Sequence, residues 1–336
     1  MSKVILAYKN FAANRNISHI GLGVSAINTA KVLRLHGIQA EVWPIVSPAD
    51  LAKRLATEDV GHVVISAPWI PTADLQNLSN TYPDIVFAMN CHSNVGFLQA
   101  DANGVKLLRE AMELETGTFN FHVSGNSAKF CRWVRASFGV PCTFLPNLYY
   151  LDPNAKKANR PLWRSGLLRI GAFGATRPLK NFMSAAGAAL EISRDLKADL
   201  ELWVSAGRTE GGGDTIIRAA RALLNGVPHA KLIENGWQSW PQFRQTVANM
   251  HLLLQPSYTE SFNMVTADGI AEGVTSVVTS AIGWAPDYWM ADGDDVWEIA
   301  RIGRQLLGDP QAPQDGLDAL IDHNRGGLDS WLTFLK

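Results

Sequence analysis

Glu260 and Asp268 are the two side chains best placed to do chemistry. They lie in the segment Gln255-Pro-Ser-Tyr-Thr-Glu260-Ser-Phe-Asn263-Met-Val-Thr-Ala-Asp268-Gly. The apolar run 251–255 reads as a buried strand, and a helical pattern begins near Phe262. At about 3.6 residues per turn Asp268 follows Glu260 by roughly two turns, so both carboxylates can face one crevice at the end of an α/β sheet. Phe262, Asn263, Met264 and Val265 would form the first helical turn, where backbone N–H groups lack intrahelical acceptors and attract an anion. Carboxylates suit hydroxyl groups and a helix start suits phosphate. A nucleotide sugar carries both.

Other groups fit around this pair. In Ile170-Gly-Ala-Phe-Gly174-Ala-Thr-Arg177-Pro-Leu-Lys180-Asn181 a strand ends in glycine, and Arg177 and Lys180 precede a helix. Two cations there could hold a diphosphate that must leave with two negative charges, although solvated loop cations are the plainer reading. Trp237, in Asn235-Gly236-Trp237 after the strand 230–233, either stacks on a flat ligand or caps the next helix by packing. Gly21 and Gly23 belong to a glycine-containing loop, residues 16–25, after the first strand. Without a third glycine, or an acid ending the next strand, this is poor support for a dinucleotide site, and a tight turn before a capped helix explains it equally. His92 follows the strand 85–90, at the edge of the expected cleft. His122, inside a strand, reads as structural. Asp292, Asp294 and Asp295 have the Asp-x-Asp pattern of a metal site, but they open the helix 296–307, where capping and the helix dipole favour carboxylates anyway.

The elements that must position these groups alternate short apolar runs with helical patterns, the signature of parallel βαβ units. The chain has 336 residues, which predicts two domains. Strands are expected at 4–8, 40–44, 62–66, 85–90, 120–123 and 142–145, then at 168–173, 200–206, 230–233, 251–255 and 276–280. The clearest early helix is 25–36, closed by Gly37. The expected organisation is an N-terminal domain at 1–150, a proline-containing basic linker at 151–167, a second domain at 168–314 and a tail helix at 315–336 returning toward the first. The fold class is α/β, two doubly wound Rossmann-like domains facing a cleft. A formal charge of −1 gives no global pull toward nucleic acid or anionic membrane. Three cysteines without ligand spacing fit a reducing cytoplasm. The first residues read as a strand and not a signal peptide, and no apolar run approaches the ~20 residues of a membrane span.

The 255–280 segment resembles the nucleotide-sugar signature of retaining GT-B glycosyltransferases, Pro-Ser-x-x-Glu-Gly-Phe-Gly, a helix with Glu-Ala, then Gly-x-Pro-Val-Val-x-Ser. Four positions depart: Ser261 and Asn263 replace glycines, Asp268 replaces the second glutamate, and Thr275 stands for proline. The family's Gly-Arg-Leu-x-x-x-Lys loop matches at Lys180, while Ala175 holds the arginine position, so that role passes to Arg177 by closeness alone. The resemblance covers most of the chain, strongly over 170–280. It implies that Lys180 and Arg177 meet the donor phosphates, Glu260 the sugar hydroxyls or phosphate, and Asp268 the ribose. It also implies that Trp237 lies at the base, the Gly21–Gly23 loop approaches the phosphate, and His92 contacts the transferred sugar.

The expected activity is sugar transfer from a nucleotide-diphosphate sugar, retaining and metal-independent, with the leaving phosphate assisting deprotonation of the acceptor. No cofactor beyond that co-substrate is expected. The acceptor could be a saccharide, a lipid-linked molecule, a small molecule or a modified DNA base, without stable membrane insertion. The helical stretch 129–135 and the cluster 156–180 offer basic faces for a lipid surface or DNA. A sugar-nucleotide epimerase and a non-catalytic nucleotide-sugar binding protein are the competing classes.

Overall fold

The computed structural model describes residues 3–10, 19–152 and 162–336. They form two compact units, one spanning Met1–Tyr150 and His323–Lys336, the other Leu151–Asp322. In the first unit the order is β1 (Lys3–Lys9), α1 (His19–Leu35), β2 (Ala40–Ile45), α2 (Pro48–Leu55), β3 (Val60–Ser66), α3 (Thr72–Thr81) and β4 (Val86–Cys91). Then come α4 (Val95–Leu98), α5 (Ala102–Gly117), β5 (Phe121–Gly125), α6 (Ala128–Phe138) and β6 (Thr143–Phe144). All six strands are parallel, in the order β2-β1-β3-β4-β5-β6.

Helices cover both faces, which is why β1 reads as one continuous apolar run. Ile5 and Ala7 point into a core with Leu51, Phe87, Phe121 and Phe130, while Val4 and Leu6 point into another with Leu33, Leu145, Leu148 and Trp331. The last of these belongs to the returning C-terminal segment. There the amide of Asn324 bonds both backbone groups of Tyr149, at 2.9 and 2.7 Å, and the Trp331 indole donates to Pro146 O at 2.8 Å. From the other side Ser25, Asn28 and Thr29 of α1 bond Asn147 Oδ1, Tyr150 N and Leu148 N. The stretch 146–150 is thus held on both sides.

The second unit runs β7 (Leu167–Ala172), α7 (Phe182–Asp195), β8 (Asp199–Ser205), α8 (Gly213–Leu224), β9 (Ala230–Asn235), α9 (Trp240–Ala248), β10 (Leu252–Gln255), α10 (Met264–Ala271), β11 (Ser276–Val278) and α11 (Val296–Gly308). Its parallel sheet has the order β11-β10-β7-β8-β9. The α/β class and the doubly wound sheets agree with the sequence expectation.

Three local expectations change. Gly21 and Gly23 lie inside α1 and not in a loop, the helix beginning at His19; residues 16–18 of that segment lie outside the described residues. The helix expected at 25–36 is accordingly longer. The final helix, α12, spans Ala312–Phe334. Most of the basic linker, residues 153–161, is outside the described residues. No helix among the described residues is long and apolar enough to cross a membrane.

Candidate functional site

Sheet order creates the crevice. From β7 the chain moves through β8 to β9 on one side, while β10 and β11 lie on the other. The connections leaving β7 and β10 therefore diverge, and the carboxyl ends of these strands frame the position where doubly wound sheets bind ligands. Lys180 comes from the first connection and Glu260 from the second. Lys180 Nζ donates to Glu260 Oε1 at 2.5 Å, with only 10% and 6% of the two side chains exposed.

The local backbone explains how a lysine reaches there. Gly174 has φ +118°, and a Cβ on it would lie 3.2 Å from Lys180 Cε, so glycine permits both the turn and the passage of the lysine stem. Ser205 at the end of β8 anchors the loop: its Oγ accepts from Gly174 N at 3.2 Å, and its carbonyl accepts from Thr176 Oγ1 at 2.5 Å. The two connections are also joined to each other. Asn181, at φ +55° before α7, donates to Pro256 O at 3.1 Å and Gly293 O at 2.7 Å, and Tyr258 N donates to Leu179 O at 3.0 Å.

Asn263 stands in the left-handed region, φ +66°, where glycine is favoured and asparagine is among the few tolerated side chains. Its Oδ1 caps α10 by accepting from Thr266 N at 2.9 Å, and its Nδ2 donates to Glu260 Oε1 at 3.1 Å and Gln255 Oε1 at 3.2 Å. The bulkier residue thus keeps the backbone conformation and adds a donor that orients Glu260. Phe262 is buried, its ring stacked on Trp284 at 5.2 Å, and the Trp284 indole donates to Phe262 O. With Thr266 N satisfied, Met264 and Val265 carry the amides that helix geometry leaves outside the ladder.

Asp268 is buried, and its Oδ1 accepts from Trp240 Nε1 at 3.0 Å. Trp240, the first residue of α9, lies under the Arg244 guanidinium at 5.7 Å, and Arg244 pairs with Glu272 at 2.5 Å. The two acids of one segment thus have different partners: Glu260 meets Lys180 and Asn263, and Asp268 meets α9. Arg177 Nη1 donates to Glu210 Oε2 at 3.3 Å, and Arg208 pairs with the other oxygen of Glu210. Backbone bonds between Thr176 and both Arg208 and Glu210 join this loop to that of β7. Trp237 follows β9 and is 45% exposed; the capping box of α9 is made by Ser239 and Gln242. In the acidic turn Asp295 caps α11, Asp294 accepts from the Tyr258 hydroxyl at 2.6 Å, and Asp292 accepts from Asp294 N.

Ser205, Arg208, Glu210, Gln255 and Trp240 were not expected at this site. Applying the strand-end rule to β8 as well as to β7 and β10 would have found the first three. The Trp240–Asp268 contact has no sequence signal.

In the first unit His92 follows β4, with Nδ1 3.3 Å from Asn126 Nδ2. Burial pushes its pKa down to about 4, so the ring is neutral at pH 7. His122 Nδ1 lies 3.4 Å from Glu115, and the ring meets Phe334 edge-on.

No family model matches this chain, and a search of curated protein sequences returns no match. Solved structures do resemble it. An alpha,alpha-trehalose-phosphate synthase (UDP-forming) from Burkholderia vietnamiensis superposes with TM-score 0.66 at 10% identity, over 100% of this chain and 97% of that one. HepE from Anabaena, in complex with UDP, gives 0.61 at 13% identity, over 98% and 100%. S. aureus TarM, in complex with UDP and alpha-GlcNAc-glycerol, gives 0.57 at 13% identity over 82% of this chain; the chain spans 55% of TarM's length. Likeness at such identity is likeness of fold, and it is the GT-B glycosyltransferase fold.

Proposed function

We propose that this chain transfers a sugar from a nucleoside-diphosphate sugar to an acceptor hydroxyl, with the donor held at the carboxyl ends of β7 and β10. The observation that carries this reading is the buried Lys180–Glu260 pair at the switch point of the second sheet, beside the first turn of α10. A cation and a carboxylate buried together at a ligand-binding edge are each ready to exchange partners, the lysine for phosphate and the carboxylate for sugar hydroxyls.

In this reading Lys180, Arg177 and the Met264 and Val265 amides stabilise the departing diphosphate without a metal, and Gly174 lets it approach the backbone. Phe262 and Asn263 form the wall behind Glu260. Asp268 takes the ribose, Trp237 the base and His92 the transferred sugar, with Gly21 and Gly23 contributing the start of α1 on the phosphate side. Transfer retains configuration, the leaving phosphate oxygen taking the acceptor proton on the same face. A neutral His92 suits contact with uncharged hydroxyls.

The test is thermal unfolding with a panel of nucleoside diphosphates and nucleotide sugars, where a ligand at a hundred times its dissociation constant adds about 2.7 kcal/mol. The matched nucleotide sugar is then incubated with and without saccharide acceptors. Donor-dependent stabilisation, with transfer abolished by Glu260→Gln, is expected. Sugar interconversion without acceptor would reassign the chain as an epimerase, and binding with neither hydrolysis nor transfer would make it a binding protein.

A further inference from the structure

The chain's three cysteines, far apart in spacing, converge at one end of the first sheet. Cys91 ends β4, Cys131 lies early in α6 and Cys142 precedes β6. Cys91 is buried, while Cys131 and Cys142 are half-buried. Cys142 Sγ lies 3.4 Å from Cys131 Sγ, and the two thiols are 4.0 and 3.7 Å from the carbonyl oxygen of Thr143. Two sulfurs 3.4 Å apart need about 1.4 Å of further approach to reach a disulfide length near 2.05 Å.

The surroundings divide the labour. The neighbouring Cys142 thiol bonds Cys131 and holds its pKa below the usual thiol range, with the Arg132 charge acting in the same direction. The same contact, together with burial, raises Cys142. Burial pushes Cys91 up to about 12, which leaves it unreactive. A thiol whose pKa is lowered, partly open to solvent and touching a second thiol, is the arrangement of an attacking and a resolving cysteine.

We propose that Cys131 and Cys142 form a reactive dithiol that closes to an intramolecular disulfide on encounter with a small-molecule disulfide such as oxidised glutathione. The Cys131 thiolate attacks one sulfur of that molecule, forming a mixed disulfide and expelling one thiolate. Cys142 loses its proton to solvent and attacks the Cys131 sulfur, expelling the second. The protein gives up two electrons and two protons, and the small disulfide becomes two thiols. The linkage ties the start of α6 to β6, next to Asn126, whose amide nitrogen bonds Cys91 O at 3.1 Å and whose side chain faces His92.

The native full chain is equilibrated in glutathione buffers from reducing to oxidising, quenched with acid, alkylated and mapped as unreduced peptides. A Cys131–Cys142 linked pair, lighter by two hydrogens, is expected, with Cys91 alkylated only after unfolding. In Cys142→Ser the resolving thiol is gone, so glutathione should remain on Cys131 as a stable mixed disulfide. Separate alkylation of both cysteines in the most oxidising buffer, linkage through Cys91, or absence of glutathione on Cys131 in that variant would each overturn the proposal.

Discussion

The two sheets share a construction and differ in what they hold at their carboxyl ends. In the second unit that edge carries charge taken out of water: Lys180 against Glu260, Arg177 and Arg208 against Glu210, and Asp268 against the Trp240 indole. In the first it is lined by neutral polar groups, with Asn90, Ser124 and Asn126 buried, a neutral His92 and three thiols. Strand order differs as well: the first sheet changes direction between β1 and β3, after the single strand β2 on the other side, and the second between β7 and β10, after β8 and β9. An edge with one buried and two half-buried ion pairs suits a ligand with phosphate charge, and a neutral edge suits hydroxyl groups. Similar scaffolds thus present different chemistry through the side chains at their strand ends.

Breaking the charged edge should cost most. Lys180→Ala leaves Glu260 as a buried charge with its cation removed, and loses about 3–5 kcal/mol in urea unfolding without ligand. A loss below 1 kcal/mol would make the pair an ordinary surface bridge. The first unit should respond to acid. His62, His92 and His323, all in the first unit, have pKa values lowered by burial. The unfolded chain therefore binds protons that the folded unit refuses, and stability falls as pH drops below about 6.5. For His92 the window extends to about 4 and amounts to about 3 kcal/mol, so denaturant midpoints at pH 7 and pH 4.5 should diverge, and His92→Gln should narrow the gap.

Smaller effects sharpen the contrast. Asn263→Ala forces alanine into the left-handed region and removes a helix cap, costing about 2 kcal/mol, whereas Asn263→Gly keeps the backbone and should lose under 1 kcal/mol. Equal losses, read by thermal unfolding, would mean that φ at this position is unimportant. Trp237→Ala should leave stability within about 0.5 kcal/mol yet weaken nucleotide binding by about 1–3 kcal/mol in titration calorimetry. Unchanged affinity would remove Trp237 from the base site.

Much of this was legible because strands and anchors have local signatures. The glycine just past β7, the lysine six residues after it and the Glu260 turn are all short-range patterns, and the unit's parallel strands follow from strand–helix alternation. The Arg208–Glu210 loop was missed because loop charges look alike until the sheet order is known. Trp240 meets Asp268 across two helices, and nothing in the spacing encodes that contact. Glycine misled in α1, where Gly23 admits the Tyr8 ring, 3.1 Å from where its Cβ would lie; in α12 Gly327 faces the Leu148 side chain and the Pro146 ring. Both look like helix breakers at about 1 kcal/mol each, and tertiary contact outweighs that propensity.

The returning C-terminal segment has a consequence for biosynthesis. Leu328, Trp331 and Leu335 fill one face of the first sheet, and Asn324 takes both backbone groups of Tyr149. A ribosome that has delivered residues through Tyr150 has therefore made every strand of the first sheet without the side chains that close one of its cores. The second unit ends at Asp322 and has all its residues earlier. Although domains usually mature in the order of synthesis, here the first unit must wait for residues 323–335, made after the whole of the second, before one of its apolar faces is covered.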